Sequence, residues 1–302
     1  MSVSAEEFRL PLAGLAGAGR QPAGRPRPGF HSTRLLAGFV PVDEAMQILH
    51  AQVPDPVPSA VELRALVEAR HRAVAQRPAS DPVDPVDPVL TADRTVLDEV
   101  ASRPQVHAAF EGQRWTVEWI DMRQVVAVQK EVITDGLDAR VRAAAQSAAA
   151  LLELCLPAEP DTAEISFNLD TDRRGMTLVS ANSNLRLTGI GRQPGAVVIG
   201  FGLSAGYLNV GRHQGRYYLR NGYHRVSGLL RAGVTVCPAV VTEVDSYGEM
   251  ARGEGIFAEE LTRWTVPPLL GDFWDDTVAV DSSRPVLKTG FHIRADEIRL
   301  PG

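Results

Sequence analysis

Basic side chains gather around one predicted turn in the second half of the chain. Arg220, His224 and Arg225 flank Asn221-Gly222, and no Asp or Glu follows before Glu243. A predicted helix starts at this turn, and its first N–H groups make that end electropositive, where acidic rather than basic residues are expected. An anion bound among these groups would offset their mutual repulsion. The spacing therefore predicts a phosphate-binding turn, with the alternative that the arginines face solvent or pair with a distant carboxylate.

The elements around the turn follow from the same stretch of sequence. Arg216–Arg220 predicts a strand, and Asn221 is a good residue for the N-cap of a helix. The apolar positions between Tyr223 and Ala232 favour a helix, which Gly233 would end. Ala239–Thr242 is typical of the next strand. The order is therefore strand, tight turn, helix, strand.

This segment resembles the signature of the ParB/sulfiredoxin-like superfamily. Gly222-Tyr223-His224-Arg225 is similar to the family's G-x-H-R turn, and the downstream pattern is matched by Leu229–Leu230, Gly233, Pro238 and Val240. Trp119–Val132 is loosely similar to the family's first strand and its continuation. The resemblance implies a nucleotide, ATP or CTP with magnesium, whose phosphates would be held by Arg220, Asn221, Gly222, Tyr223, His224 and Arg225.

Departures from the family narrow the activity that the resemblance implies. Sulfiredoxins have a catalytic cysteine where this chain has Tyr223, so reduction of a sulfinic acid is not expected. The chromosome-partitioning members continue into a helix-turn-helix DNA reader, and no such pair of helices is predicted after Glu243. The free-serine kinases of the family use an upstream carboxylate, and Glu131 is the residue nearest to that role. The catalytic candidates are therefore Glu131 and His224.

Two functions of different classes follow from this turn. In the first, the protein binds a nucleotide or another phosphate-bearing ligand without turnover and acts as a switch or scaffold, with a protein partner reached through residues 1–90. In the second, it is a nucleotide hydrolase or phosphotransferase in which a carboxylate activates water or a hydroxyl. The first is favoured, because the sequence places no carboxylate convincingly beside the turn.

A metal site is not predicted from the chain's own residues. Asp170 and Asp172 could ligate the magnesium of a triphosphate, but their setting, DTDRRG, is that of an ordinary hairpin turn. The histidines lack the spacing of zinc ligands, and Cys155 and Cys237 have no partner histidine nearby.

The composition and charge of the chain exclude several classes of function. The 302 residues carry a formal net charge of −6, which argues against a protein that coats nucleic acid and predicts no sequence-specific DNA binding. No apolar run is long enough to span a membrane, and the charged residues Glu6, Glu7 and Arg9 make a secretory signal unexpected in the first residues. Two cysteines cannot build a disulfide framework, so a cytoplasmic location is expected.

The predicted organisation has three parts. Residues 1–79 are rich in Pro and Gly, with one or two helices, one of them opened by a capping box of Ser59 and Glu62. Residues 80–90, with DPV three times over, predict an extended linker. Residues 91–302 predict an α+β domain, a small mixed sheet with packed helices, for which the resemblance implies a ParB/sulfiredoxin-like core. Residues 1–80 are therefore expected to be dispensable for the fold of the rest.

Within the third part, periodicity predicts further elements. Alternation favours a strand at Arg114–Met122 and a hairpin from Ile165 to Leu178. Apolar residues at spacings of three and four predict one long helix from Thr134 to Cys155.

Overall fold

The fold is α+β, as the sequence predicts. Helices and strands are mixed along the chain, and the strands form several small sheets. The computed structural model describes residues 29–52, 59–79, 81–92, 94–135, 138–159, 165–170, 175–180, 185–194, 196–203, 206–250, 255–287 and 289–294.

The elements have the following bounds. The strands are β1 (Phe30–Leu35), β2 (Trp115–Asp121), β3 (Glu131–Ile133), β4 (Ile165–Asp170), β5 (Gly175–Ser180), β6 (Leu185–Gln193), β7 (Ala196–Leu203), β8 (Asn209–His213), β9 (Arg216–Asn221), β10 (Val236–Glu243), β11 (Val280–Pro285) and β12 (Thr289–Arg294). The helices are α1 (Val42–Gln52), α2 (Ala60–Ala75), α3 (Pro88–Ala92), α4 (Thr95–Ala101), α5 (Pro104–Ala109), α6 (Asp138–Ala144), α7 (Ala148–Cys155), α8 (Tyr223–Arg231), α9 (Tyr247–Met250) and α10 (Glu259–Thr262), with 3₁₀ turns at Met122–Gln124 and Leu270–Trp274.

The chain divides into two compact units that differ from the predicted domains. The first unit takes the described residues of 29–157 and 207–285, and the second takes those of 158–206 and 286–302. The second unit is thus inserted between α7 and β8 of the first and also receives β12. The predicted boundary at residues 80–90 falls inside the first unit.

Two sheets organise the first unit. One has the strand order β2-β10-β8-β9, with β10 antiparallel to β2 and parallel to β8. Its central strand β10 is buried along most of its length, since its apolar residues meet neighbours on both faces. The other sheet has the order β11-β1-β3, and both neighbours of β1 run antiparallel to it.

The region predicted to be dispensable supplies part of this core. β1 lies in the middle of its sheet, and Leu35 and Leu36 are fully buried. The capping box that opens α2 is confirmed, because Ser59 and Glu62 bond each other's main chain. The DPV segment is not a free spacer: Val86 forms a bridge with Ile120 of β2. The sequence did not predict β1, because the alternation of apolar and polar residues in so short a strand is a weak signal next to the surrounding prolines and glycines.

The second unit consists of small antiparallel sheets. β5 lies between β12 and β4, which confirms the hairpin predicted from Ile165 to Leu178. β6 and β7 pair with each other as a further hairpin. Within this unit the rings of Phe201 and Phe291 lie 5.2 Å apart between centroids.

The long helix predicted from Thr134 to Cys155 is wrong at its start, where the Thr134 N–H donates to the Ser32 carbonyl, and in its middle, where it is interrupted. Two shorter helices, α6 and α7, replace it, and they pack against each other. Ser147 interrupts the run because its hydroxyl accepts a hydrogen bond from the Ala150 N–H and so starts a new helix. Ser and Thr at such positions compete with the helical backbone for its donors.

Within the part of the chain that the structure describes, no helix has both the length and the apolar character needed to cross a bilayer.

Candidate functional site

The predicted turn connects β9 to α8. Gly222 has a φ of +105° and takes the N-cap position of α8 without a side-chain cap, so the prediction that Asn221 caps this helix is wrong. The Asn221 amide instead donates to the Tyr207 carbonyl at 3.1 Å. The first hydrogen bond of the helix runs from Val226 N–H to Gly222 O. The N–H groups that precede it have no partner within the helix, as at every helix start.

Tyr223 faces the interior. Its hydroxyl accepts a hydrogen bond from the Val128 N–H at 2.7 Å and donates one to the Leu219 carbonyl at 2.9 Å. Burial raises the pKa of this hydroxyl well above its usual range. A side chain held in this way contributes to the position of the turn, and only its main chain can meet a ligand at the helix start.

Arg220 and Arg225 are both engaged with the protein. Arg220 Nη1 donates to Thr242 Oγ1 at 2.9 Å. Arg225 Nη1 donates to the Leu154 carbonyl at 3.0 Å, at the end of α7, where a cation is favoured by the helix dipole. Arg220 therefore joins β9 to β10, and Arg225 joins α8 to the end of α7.

His224 and Asn221 are the exposed residues among those predicted to bind phosphate. Desolvation, the largest cause, lowers the pKa of its imidazole to about 4. Basic side chains add to this lowering, in the order Arg284, His31 and Arg225, while Asp135 opposes them. Because the residue is exposed, water screens part of these effects. The lowered pKa means that the positive environment keeps the imidazole neutral.

His224 lies near a polar cluster on the sheet of β1, which we call the sheet-face cluster and which consists of His31, Thr33, Glu131, Asp135 and Arg284. His31 pairs directly with Arg284 across β1 and β11, so both side chains lie on one face of the sheet. Thr33, two residues along β1, donates its hydroxyl to Glu131 Oε1 at 2.6 Å. Glu131 Oε2 lies 3.9 Å from Arg284 Nη1.

The sheet-face cluster brings the two catalytic candidates near one arginine. Glu131 is an ion-pair neighbour of Arg284, and the charge of Arg284 also acts on His224. Burial raises the pKa of the Glu131 carboxyl, and the Thr33 hydroxyl and the Arg284 charge offset part of that rise. Arg220, in contrast, lies with Thr242 of β10, and Asn221 lies with Tyr207.

Sequence reasoning missed His31, Asp135 and Arg284. His31 Nδ1 lies 2.9 Å from Asp135 Oδ1, and the Ser32 N–H donates to Asp135 Oδ2 at 2.8 Å. These residues stand more than a hundred positions apart in the sequence, and none belongs to a recognisable motif. The alternation of His31 and Thr33 along a short strand was the only signal available.

Metal binding finds no support in the described geometry. Among the described residues, no three or more His, Cys, Asp or Glu side chains are grouped as a metal site requires. Asp172, considered as a magnesium ligand, lies outside the described residues. Cys155 and Cys237 are both free and buried.

No family model, curated protein or solved structure matches the chain. The resemblance to the ParB/sulfiredoxin-like superfamily stays a prediction that rests on the turn and the pattern around it.

Proposed function

We propose that the protein binds a phosphate-bearing ligand, a nucleotide such as ATP or CTP, at the start of α8. The observation that carries this proposal is the positive environment of His224, to which the guanidinium groups of Arg284 and Arg225 contribute. The first turn of α8 also holds no acidic residue. An anion there would meet the first N–H groups of α8, which lie before the first hydrogen bond within the helix, and the Arg284 guanidinium, which suits the site to phosphate oxygens.

In this proposal the predicted residues divide into two roles. His224 and the main chain of Tyr223 to Arg225 contact the phosphate together with Arg284. Gly222 allows the turn, while Tyr223 and Arg225 fix it through bonds to Leu219 and Leu154. Arg284, rather than Arg225, is the expected source of a bidentate contact with the phosphate, because Arg225 already donates to the main-chain carbonyls of Leu154 and Cys155.

Binding should appear as thermal stabilisation. With CTP, ATP, ADP and pyrophosphate tested with and without magnesium, a ligand at a hundred times its Kd adds about 2.7 kcal/mol, or several degrees in Tm. Arg284→Gln should weaken binding by about ten- to a hundredfold through loss of a charge-assisted contact of about 1.5–3 kcal/mol. The unliganded Tm should change little, since Arg284 faces Glu131 only at 3.9 Å.

Arg114→Gln is the matched control for this substitution. Arg114 is 80% exposed and faces Asp245 at 3.9 Å, so its charge is lost without a change near α8. If none of the phosphate compounds raises the Tm of the wild-type protein, the proposal is contradicted. An equal weakening in both variants would indicate only a long-range effect of charge.

Binding of an anion should strengthen as the pH falls. In the free protein the pKa of His224 is lowered to about 4, and a bound anion raises it, so the complex takes up protons. Affinity for sulfate, which does not titrate here, should therefore increase between about pH 7 and pH 5. His224→Gln should flatten this dependence in calorimetric titrations. His31→Gln is the second variant, because the His31 imidazole lies in the same environment as His224, together with Asp135, Arg225 and Arg284, and could also contribute to the pH dependence. A dependence unchanged in both variants would contradict the assignment.

A hydrolase or phosphotransferase is the second candidate function. The observation in its favour is that Glu131 lies beside Arg284, so a carboxylate with a raised pKa is present near the proposed anion position. Incubation of the full chain with each nucleotide, followed by chromatography of the products, separates the two. Saturable binding without turnover favours a switch or scaffold. For that function, a cytoplasmic location and a protein partner reached through residues 1–90 remain part of the proposal.

A further inference from the structure

His31 and Asp135 form a histidine–carboxylate pair with a defined proton arrangement. Asp135 accepts from His31 Nδ1 at 2.9 Å through one oxygen and from the Ser32 N–H at 2.8 Å through the other. An ionised carboxylate only accepts hydrogen bonds, so Nδ1 carries the hydrogen. In the neutral ring, Nε2 is then left with a lone pair that can accept a proton.

The ring is accessible and faces the proposed anion site. The His31 side chain is 32% exposed, and no described residue is hydrogen-bonded to its Nε2. Arg284 stands directly opposite on β11, on the same face of the sheet. A phosphate group held by Arg284 and the start of α8 would therefore lie beside His31.

Glu131 is less suited to accept a proton from water at this place. Its Oε1 already accepts the Thr33 hydroxyl at 2.6 Å, and its Oε2 faces Arg284. The Glu131 side chain is also only 14% exposed. Glu131 therefore has neighbouring side chains at both of its oxygens and little contact with solvent.

We propose that His31, oriented by Asp135, is the general base that activates water for hydrolysis of a phosphate ester or anhydride bound at the start of α8. This inference rests on the proposed function and adds a reaction to it. The pair has the arrangement that general-base catalysis needs: an accessible acceptor nitrogen and a carboxylate that fixes the tautomer.

The step balances without any further reactant. Water forms a bond from its oxygen to phosphorus while one of its protons moves to His31 Nε2. The bond between phosphorus and the leaving oxygen breaks with its electron pair on that oxygen. The imidazolium, stabilised by Asp135, then returns the proton to the leaving oxygen, and His31 is neutral again. The products are inorganic phosphate and the remainder of the ligand, such as a nucleoside diphosphate from a triphosphate.

The test compares turnover and binding in the full chain. Release of inorganic phosphate from CTP, ATP, ADP and pyrophosphate is measured beside the Kd of each compound. His31→Asn keeps an amide that can still bond Asp135 and removes the base, so turnover should fall by about 10²- to 10⁴-fold. The Kd should stay within about threefold, since the proposed phosphate contacts of Arg284 and His224 remain.

His31→Ala with added imidazole provides the second measurement. An exogenous base should restore part of the turnover of this variant, which a merely structural loss would not allow. His50→Asn, which changes an exposed histidine of α1, is the control and should leave turnover unchanged.

The outcomes separate this inference from the proposed function. If no compound binds, the proposed function fails, and the inference fails with it. If a compound binds and is not hydrolysed, or if His31→Asn hydrolyses it at the wild-type rate, only the role of His31 is overturned.

Discussion

A chain that begins at residue 81 should fail to fold. Deletion of residues 1–80 removes β1 from between β11 and β3, and the main chain of both neighbours then loses its hydrogen-bonding partner. It also removes the buried side chains of Leu35, Leu36 and Phe39, each worth about 1.5–3 kcal/mol of burial. Such losses together equal much of the 5–15 kcal/mol by which a typical domain is stable.

Circular dichroism and thermal melting of the purified fragment measure this outcome. The matched control is a chain that begins at residue 29, which retains all of the contacts named above. A fragment 81–302 that is soluble and melts cooperatively at the wild-type temperature would contradict the expectation. It would restore the view from the sequence that the residues before the DPV repeat are dispensable.

Gly222→Ala should destabilise the protein by about 2–5 kcal/mol. At a φ of +105° the backbone of any residue that carries a Cβ atom is strained. The added Cβ would also lie 2.5 Å from Leu208 Cδ1, a buried side chain of the first unit with little room to move. The turn would have to shift, so ligand binding at the start of α8 should be lost as well.

Gly233→Ala is the matched control, because it isolates the backbone strain. Gly233 follows the same helix with a φ of +82°, and an added Cβ there meets no atom within 4 Å. Its cost should be about 1–2 kcal/mol. Chemical denaturation of both variants gives the comparison, and equal costs would show that Leu208 adjusts to the added atom.

Local sequence rules succeeded where one segment decides its own structure. The strand, Gly turn and helix from Arg216 to Arg231 were predicted with nearly the observed bounds. The capping box at Ser59 is equally local, since both partners lie within one turn of helix. Such features depend on interactions over three or four residues, and the sequence shows those directly.

The same rules failed where competing local signals were close in strength. Ser147 starts a second helix inside a continuous apolar pattern, because its hydroxyl bonds the next turn. At the turn between β9 and α8, Gly222 rather than Asn221 occupies the N-cap, since only glycine tolerates both the positive φ and the nearby Leu208 side chain. The residue types predicted a glycine turn at this position, but not which residue would occupy the N-cap.

Local patterns in the sequence specify an α+β protein with a glycine turn at the start of a helix and basic residues around it. The tertiary structure alone settles which of these side chains are held by the protein, because Arg225 is bonded to the end of α7 and Tyr223 to main-chain atoms of residues 128 and 219. It also placed His31 beside Asp135, a contact that spans 104 residues of the chain. Contacts over such separations follow from the pairing of whole strands, and no local pattern records them.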